Sequence, residues 1–193
     1  TPRIDAELGE CVYSSRRVLR ICRFHENLMP FCCLDPEKER LDVLEDYVSK
    51  GAVGYGEHKV RLPIDHPRSL EIYEACGKIG IPILMHIDES HNYGFEKVFP
   101  KLAAEYSKTT FIMHGPGWWR HISADPSLEL YPKGPIKSHG LVNKILLEYG
   151  NVYADISATS GLNALRRDRK YAKEFLERHR LKILYGTDFP CID

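Results

Sequence analysis

The sequence has no excess of either charge, no long hydrophobic run and no secretory leader pattern. Lysine and arginine together number 27 of 193 residues, and aspartate and glutamate also number 27. A chain without a basic surplus lacks the field that attracts nucleic-acid phosphates or anionic membranes. No apolar run approaches the ~20 residues that cross a bilayer, and the first residues lack the basic-then-apolar pattern of a signal peptide. These absences predict a soluble protein that binds neither nucleic acid nor membranes.

The six cysteines form no Cys-x-x-Cys pair, and their spacing matches no secreted disulfide framework. Most of them lie within apolar patterns, where a thiol acts as a small hydrophobic group. A reduced, cytoplasmic setting is therefore expected. The sequence also has no helix-opening Gly-x-Gly-x-x-Gly and no Walker-type loop, which argues against nucleotide binding.

What the sequence does contain is a regular alternation of strand-like and helical patterns. The spacing of apolar residues predicts helices over residues 5–22, within 35–51, and over 68–79, 95–106, 141–149 and 164–179. Strand-like runs occupy residues 28–34, 52–60, 81–87, 109–114, 151–157 and 181–188. The strands are nearly continuous apolar segments, as expected when helices cover a parallel sheet. The class is α/β, and the repeat length favours a (β/α)8 barrel over an open doubly wound sheet.

Polar residues stand where four of these strands end. They are Glu57 with Lys59, His86, His114 and Asp188. A parallel barrel builds its active site from the carboxyl ends of its strands. Imidazole and carboxylate groups around one mouth suit zinc or a similar divalent ion, which can lower the pKa of a bound water to about 7.

Each of these residues also has a structural interpretation. A single strand-end histidine is often a core residue bonded to a backbone carbonyl, and Asp188 could cap a helix or order a turn. Glu57 and Lys59 share one face of the strand and could form a salt bridge, while His58 points the other way.

A long connection over residues 115–140 is rich in Gly, Pro, Trp and His, and such loops are usually functional or disordered. Trp118, Trp119 and His121 could wall a substrate pocket or pack together within the loop. Asp155 and Ser157 share a strand face and could line the pocket or brace a loop. The remaining histidines carry no spacing signal and are interpreted as surface or structural residues: His25, His66, His91, His139 and His179.

Five segments occur in the order "GAVGYGEHKV", "IPILMHID", "TTFIMHGPGWWRHISADP", "NVYADISATSGLNAL" and "LKILYGTDFP". With them the sequence resembles the amidohydrolase-related metal-dependent hydrolases of the TIM-barrel amidohydrolase superfamily, from about residue 28 onward. The resemblance implies a TIM barrel of the metallo-dependent hydrolase type and a single, partial amidohydrolase-like domain over residues 1–193.

The same resemblance assigns roles to individual residues. The family's strand-five and strand-six histidines fall on His86 and His114, and its strand-eight aspartate falls on Asp188. The strand-four ligand falls on Glu57 or Lys59, and Glu57 is favoured because it ends the "GYGE" run. By likeness, these residues hold a divalent metal, for which zinc is the expectation. Asp188 activates the metal-bound water and protonates the leaving group, while His114 binds the metal or polarises the substrate carbonyl.

One family feature is missing. The family's first strand carries a His-x-His pair, and no His-x-His occurs in this sequence. Six strand-like runs are present where the barrel has eight. Both observations predict a chain that begins after the first two strands, with the helix over 5–22 belonging to the second unit.

The function expected from the resemblance is hydrolysis of an amide, ester or lactone bond in a small molecule by metal-activated water. The alternative is a metal-dependent decarboxylase similar to aminocarboxymuconate semialdehyde decarboxylase. A third hypothesis is a non-catalytic barrel remnant that binds a partner through an exposed strand edge, and homo-oligomerisation is left open.

Overall fold

The computed structural model describes residues 4–5, 10–11 and 15–189, and within them a parallel sheet alternates with helices. In chain order the elements are β1 (Ile4–Asp5), β2 (Glu10–Cys11), α1 (Ser15–Cys22), β3 (Phe31–Cys32), α2 (Asp42–Ser49), β4 (Gly54–His58), α3 (Pro67–Ile79), β5 (Ile83–His86), α4 (Phe95–Glu105), β6 (Phe111–His114), α5 (Pro116–Arg120), α6 (Leu141–Glu148), β7 (Val152–Asp155), α7 (Ala158–Arg166), α8 (Arg169–Arg178) and β8 (Ile183–Leu184).

The main sheet has the strand order β3-β4-β5-β6-β7-β8, and every neighbouring pair is parallel. Strands β3 and β8 are the two edges of this sheet within the described residues. The strand order equals the chain order, as in a barrel wound in one direction. All carboxyl ends therefore lie at one edge of the sheet, which confirms the arrangement predicted from the sequence.

Alternation along β5 and β6 separates the core from the site. Ile83 and Met85 of β5 are buried in the core cluster together with Phe111 of β6, and Phe111 packs against Phe99 of α4 with ring centroids 5.3 Å apart. Because successive side chains point to opposite faces, the final residue of β5, His86, lies on the face turned away from the covering helices. The same holds for the last residue of β6.

One sequence prediction at the beginning of the chain needs correction. Ile4–Asp5 and Glu10–Cys11 pair as an antiparallel two-stranded sheet, so the predicted helix over residues 5–22 is wrong there. Only Ser15–Cys22 is helical, and residues 6–9 and 12–14 lie outside the described residues. The cross-strand bonds satisfy the backbone groups that a helix would have bonded locally, so pairing overrides the helical spacing.

The predicted helix over residues 164–179 is in fact two helices, α7 and α8. Asp168 separates them, because its carboxylate caps α8 by accepting from the backbone N–H of Tyr171 at 3.0 Å. The same carboxylate accepts from the backbone N–H of Ile136 at 3.1 Å. A capping residue thus ends one helix and starts the next, while apolar periodicity continues across both.

The long connection over residues 115–140 is ordered in its first part and exposed in its middle. It opens with α5, which the sequence analysis did not predict because five residues are too few to show a periodicity. Ile122 and Ile136 are buried, and Ser123 and His139 form an isolated antiparallel bridge that closes the loop. Residues 124–131 between them are exposed, and Leu128 is 93% exposed.

His179 provides a pH-sensitive contact between α6 and the end of α8. Its side chain is buried, and Nε2 donates to Oδ1 of Asn143 at 2.8 Å. Burial, together with the nearby charges of Arg178 and His139, lowers the pKa of His179 from 6.5 to about 4. Between pH 6.5 and 4, His179 is therefore protonated in the unfolded chain and neutral in the folded protein.

We predict that His179→Gln flattens the acid dependence of stability. In the parent, the free energy of unfolding should fall as the pH drops from 6.5 to 4, by at most about 3 kcal/mol from this residue. Urea unfolding across that pH range measures the slope. The exposed His25→Gln is the matched control and should keep the parental slope. An unchanged slope in His179→Gln would contradict the assignment.

Candidate metal centre

Three donor side chains converge from three adjacent strands at the carboxyl edge of the sheet. Glu57 lies near the end of β4, and His86 and His114 are the last residues of β5 and β6. The register pairs His86 directly with His114, and their rings meet edge to face with centroids 4.9 Å apart. Glu57 Oε1 lies 2.7 Å from Nδ1 of His86 and 2.9 Å from Nε2 of His114.

The cluster is buried, and its charges depend on one another. The side chain of Glu57 is 11% exposed and that of His114 is 2% exposed. Burial alone would raise the pKa of Glu57, but the hydrogen bonds and charges of His114 and His86 outweigh it and hold the pKa well below its usual value. Burial lowers the pKa of His86, yet hydrogen bonds to Asp88 and Glu57 more than offset this and raise it. The carboxylate is therefore ionised between the two imidazoles.

The donor set fits a divalent metal ion. One ligand atom from each of Glu57, His86 and His114 lies within 4.8 Å of the others. His86 Nδ1 is buried without an aligned hydrogen-bond partner among the described residues, although it faces the Glu57 carboxylate at 2.7 Å. A metal ion bound between them would satisfy both the buried nitrogen and the carboxylate. Two imidazoles and one carboxylate match the ligand types of zinc.

Strand β4 directs its neighbouring residues to opposite sides, as the alternation predicted. Nε2 of His58 lies 3.2 Å from the hydroxyl of Ser69 on α3, and its ring contacts Tyr73. His58 is thus packed among covering helices while Glu57 faces the two histidines. The structure brings Glu57 into contact with both imidazoles, and places Lys59 just beyond the end of β4 as a half-buried residue.

Asp188, predicted as a metal ligand and proton carrier, lies near this cluster but outside its three donor atoms. It is half-buried on the segment that follows β8, with a φ of +57°. Burial raises the pKa of Asp188, as does the charge of Glu57, whereas the charges of His114, His86 and Lys59 lower it. These electrostatic neighbours place Asp188 at the same edge of the sheet, and its role as a ligand stays a prediction.

The chain turns sharply just after His114. Gly115 has a φ of +96°, and a Cβ there would lie 2.6 Å from the carbonyl oxygen of Ile87. This close approach requires glycine and lets α5 begin directly beside the end of β5. Pro116 follows at the first position of α5, where its missing N–H is not needed.

The structure assigns the two tryptophans of α5 to the core. Trp118 and Trp119 are 0% and 2% exposed. Trp118 packs against the ring of Phe95, and Nε1 of Trp119 donates to the carbonyl oxygen of Asp155 at 3.0 Å. Of the two alternatives raised by the sequence, packing within the fold is the one that this burial matches, because neither ring has surface left to contact a substrate.

Two further predicted pocket residues have different surroundings. His121 lines a small cavity of about 80 Å³ beside Asp88 and Arg120. Ser157 is buried and donates from its hydroxyl and its backbone N–H to the Asp155 carboxylate. That pair braces the turn after β7, the second alternative considered for these residues. Substrate contact by His121, Ser157 and Lys59 stays a prediction.

The sequence analysis missed Asp88 and misjudged His91. Oδ2 of Asp88 lies 3.0 Å from Nε2 of His86, and both of its oxygens lie 2.9 Å from Nδ1 of His91. The signal available in the sequence was the His-x-Asp spacing, because residues two apart on an extended segment lie on the same side. His91 is a partner of Asp88 at the site, whereas no pattern in the sequence separates it from the surface histidines.

The chain is similar to a known protein family and to several solved structures. The family model described as amidohydrolase matches residues 13–193. The chain belongs to the amidohydrolase family. No curated protein is significantly similar to this amidohydrolase in sequence.

Several solved structures share its fold at low sequence identity. An uncharacterised TIM-barrel protein from Bordetella bronchiseptica has a TM-score of 0.67 and 15% identity, over 98% of this chain and 64% of that one. A probable 2-pyrone-4,6-dicarboxylic acid hydrolase from Acinetobacter baumannii has a TM-score of 0.59 and 13% identity, over 92% and 64%. 2,6-Dihydroxybenzoate decarboxylase from Rhizobium has a TM-score of 0.51 and 16% identity, over 93% and 66%.

These likenesses show the fold. The amidohydrolase has the TIM-barrel type of α/β fold, with a six-stranded sheet that does not close within the described residues. The chain spans 64% of the length of the first two of these proteins. None of the helices in the described residues is both long and apolar enough to cross a membrane.

We predict that the three converging side chains bind Zn²⁺ together. Replacing any one of Glu57, His86 or His114 by Ala should weaken Zn²⁺ binding by more than about 100-fold, because losing a ligand costs more than losing its outer hydrogen-bond partner. Competition with a chromophoric chelator measures the affinity. The exposed His25→Ala serves as the control and should bind like the parent. Parental affinity in the Glu57, His86 and His114 variants would show that the ion binds elsewhere.

Proposed function

We propose that this amidohydrolase is a metal-dependent hydrolase that cleaves an amide, ester or lactone bond of a small molecule. The observation that supports this most directly is the buried cluster of Glu57, His86 and His114 at the carboxyl edge of a parallel sheet. Membership of the amidohydrolase family supports the same class of reaction. Zinc is the metal we propose, because two imidazoles and a carboxylate are typical zinc ligands.

The proposed metal-binding residues and the ion have different roles in the reaction. A bound divalent ion supplies a Lewis acid, which makes water more acidic and polarises a carbonyl group. Glu57, His86 and His114 would hold the ion from three adjacent strands: the sheet register pairs His86 with His114, and Glu57 lies where the register shifts between Tyr55 and His58. Bulk water has little access to the two histidines, because His86 and His114 are only 8% and 2% exposed.

Asp188 carries the proton in this proposal. It lies half-buried at the same edge of the sheet, on the segment after β8, where its carboxylate can reach water that approaches the cluster. It accepts a proton as water attacks the substrate carbonyl and then donates that proton to the leaving amine or alcohol oxygen. In this proposal His114, whose Nε2 lies 2.9 Å from Glu57 Oε1, binds the metal or polarises the substrate carbonyl.

Decarboxylation is the alternative reaction. It is favoured by one observation, the shared fold with 2,6-dihydroxybenzoate decarboxylase at a TM-score of 0.51. The hydrolase is preferred because the pyrone dicarboxylic acid hydrolase has the higher TM-score of 0.59. Both reactions begin with a small acid at the same edge of the sheet, so the products distinguish them.

A two-substrate assay tests the proposal. The 193-residue chain with Zn²⁺ is incubated with 2-pyrone-4,6-dicarboxylate and, separately, with 2,6-dihydroxybenzoate. We expect opening of the lactone with release of a proton and no carbon dioxide. Carbon dioxide from the benzoate would instead establish the decarboxylase.

Variants connect the assay to the site. Asp188→Asn should lower the lactone rate by about 10²–10⁴-fold, the usual contribution of a positioned acid or base. Asp125→Asn makes the same change of charge at an exposed position and should leave the rate unchanged. A chain that binds Zn²⁺ and converts no ester, lactone or amide in a wider panel would favour the non-catalytic alternative.

A further inference from the structure

The turn after β5 surrounds one carboxylate with donors. Asp88 Oδ1 accepts from the backbone N–H groups of Ser90 and His91, each at 2.8 Å, and from the Ser90 hydroxyl at 3.1 Å. Nδ1 of His91 lies 2.9 Å from both carboxylate oxygens. The carboxylate is thus held in one orientation.

A second residue fastens this turn to the two strands that carry Glu57 and His86. Asn92 is fully buried with a φ of +50°. Its Nδ2 donates to the backbone carbonyl of His58 at 2.7 Å and to that of His86 at 2.8 Å. The ends of β4 and β5 are therefore joined through the same turn that presents Asp88.

The remaining contact of Asp88 decides the chemistry of His86. Asp88 Oδ2 lies 3.0 Å from Nε2 of His86. Oδ1 of the same carboxylate accepts from two backbone N–H groups, so we assign Nε2 of His86 as the donor in this contact. When the ring binds a metal, Nδ1 is then the nitrogen whose lone pair is free, and it is the atom that faces Glu57 Oε1 at 2.7 Å.

The second histidine of the cluster has no such support. Nε2 of His114 faces Glu57, and its Nδ1 is buried without a hydrogen-bond partner among the described residues. The two imidazoles therefore differ. The nitrogen of His86 that points away from Glu57 contacts the Asp88 carboxylate, whereas the corresponding nitrogen of His114 has no hydrogen-bond partner among the described residues. An effect of removing Asp88 should fall on His86.

We infer that Asp88 is a positioning residue, which fixes His86 in the tautomer that leaves Nδ1 free to bind the metal. Ser90 and His91 hold the carboxylate in place, and Asn92 holds the turn. The inference rests on the metal centre proposed above and adds to it the residue that orients one ligand. A histidine held by a carboxylate is also a stronger base, which strengthens its bond to a metal.

Zn²⁺ affinity is the first test. In the 193-residue chain, Asp88→Asn should bind Zn²⁺ about 10–100-fold more weakly than the parent. His86→Ala should lose more, and the exposed Asp125→Asn should bind like the parent. His91→Ala removes only one donor to Asp88 and should give a smaller loss in the same direction, and it also serves if Asp88→Asn does not fold.

The tautomer of His86 is a readout that a purely structural role would not change. In the Zn²⁺-loaded chain labelled with ¹⁵N-histidine, long-range ¹H–¹⁵N spectra of the His86 ring should show the hydrogen on Nε2 in the parent. Asp88→Asn, checked for folding by circular dichroism, should lose that preference. The Co²⁺ absorption spectrum should shift in Asp88→Asn and stay unchanged in Asp125→Asn.

Three results would overturn the inference. Parental Zn²⁺ affinity in Asp88→Asn would show that His86 needs no positioning by Asp88. Loss as complete as in His86→Ala would make Asp88 a ligand itself. A parent chain that binds no Zn²⁺ would remove the metal centre, and with it the proposed function, which distinguishes that failure from the first two.

Discussion

The Glu57 carboxylate lies in a nearly water-free position between two imidazoles, and the arrangement around it follows from that burial. An ionised carboxylate removed from water is costly unless it is paired and hydrogen-bonded. Its side chain is 11% exposed, and both available partners are histidines. The site therefore holds its charge only because β4, β5 and β6 bring Glu57, His86 and His114 together.

The parallel sheet brings these three side chains together, because the carboxyl ends of its strands share one edge. Each of the three side chains is supplied by a different strand, and the backbone ladder pairs His86 with His114, while Glu57 lies at the register shift of β4. The turn after β5 then adds precision, since Asn92 bonds the ends of β4 and β5 and Asp88 orients the ring of His86. The sheet brings the three donor side chains together, and the turn after β5 determines which nitrogen of His86 faces Glu57.

The parts of the site that the sequence could predict are those that depend on strand ends. His86 and His114 close two apolar runs, and strands of a parallel sheet share one carboxyl edge, so their meeting needs no tertiary detail. The contact of His91 with Asp88 depends on turn geometry, which apolar periodicity does not record. The burial of Trp118 depends on Phe95, a partner more than twenty positions away, so the sequence left pocket and core as equal alternatives.

The long connection over residues 115–140 is closed by a bridge between its ends, which makes its exposed middle a suitable place for insertions. The bridge between Ser123 and His139, with Ile122 and Ile136 buried beside it, anchors both ends of an exposed stretch over residues 124–131. Extra chain inserted there meets solvent, and lengthening a loop whose ends are already pinned costs little entropy. A fluorescent label or an affinity peptide placed in that stretch would report on this protein without disturbing the cluster of Glu57, His86 and His114.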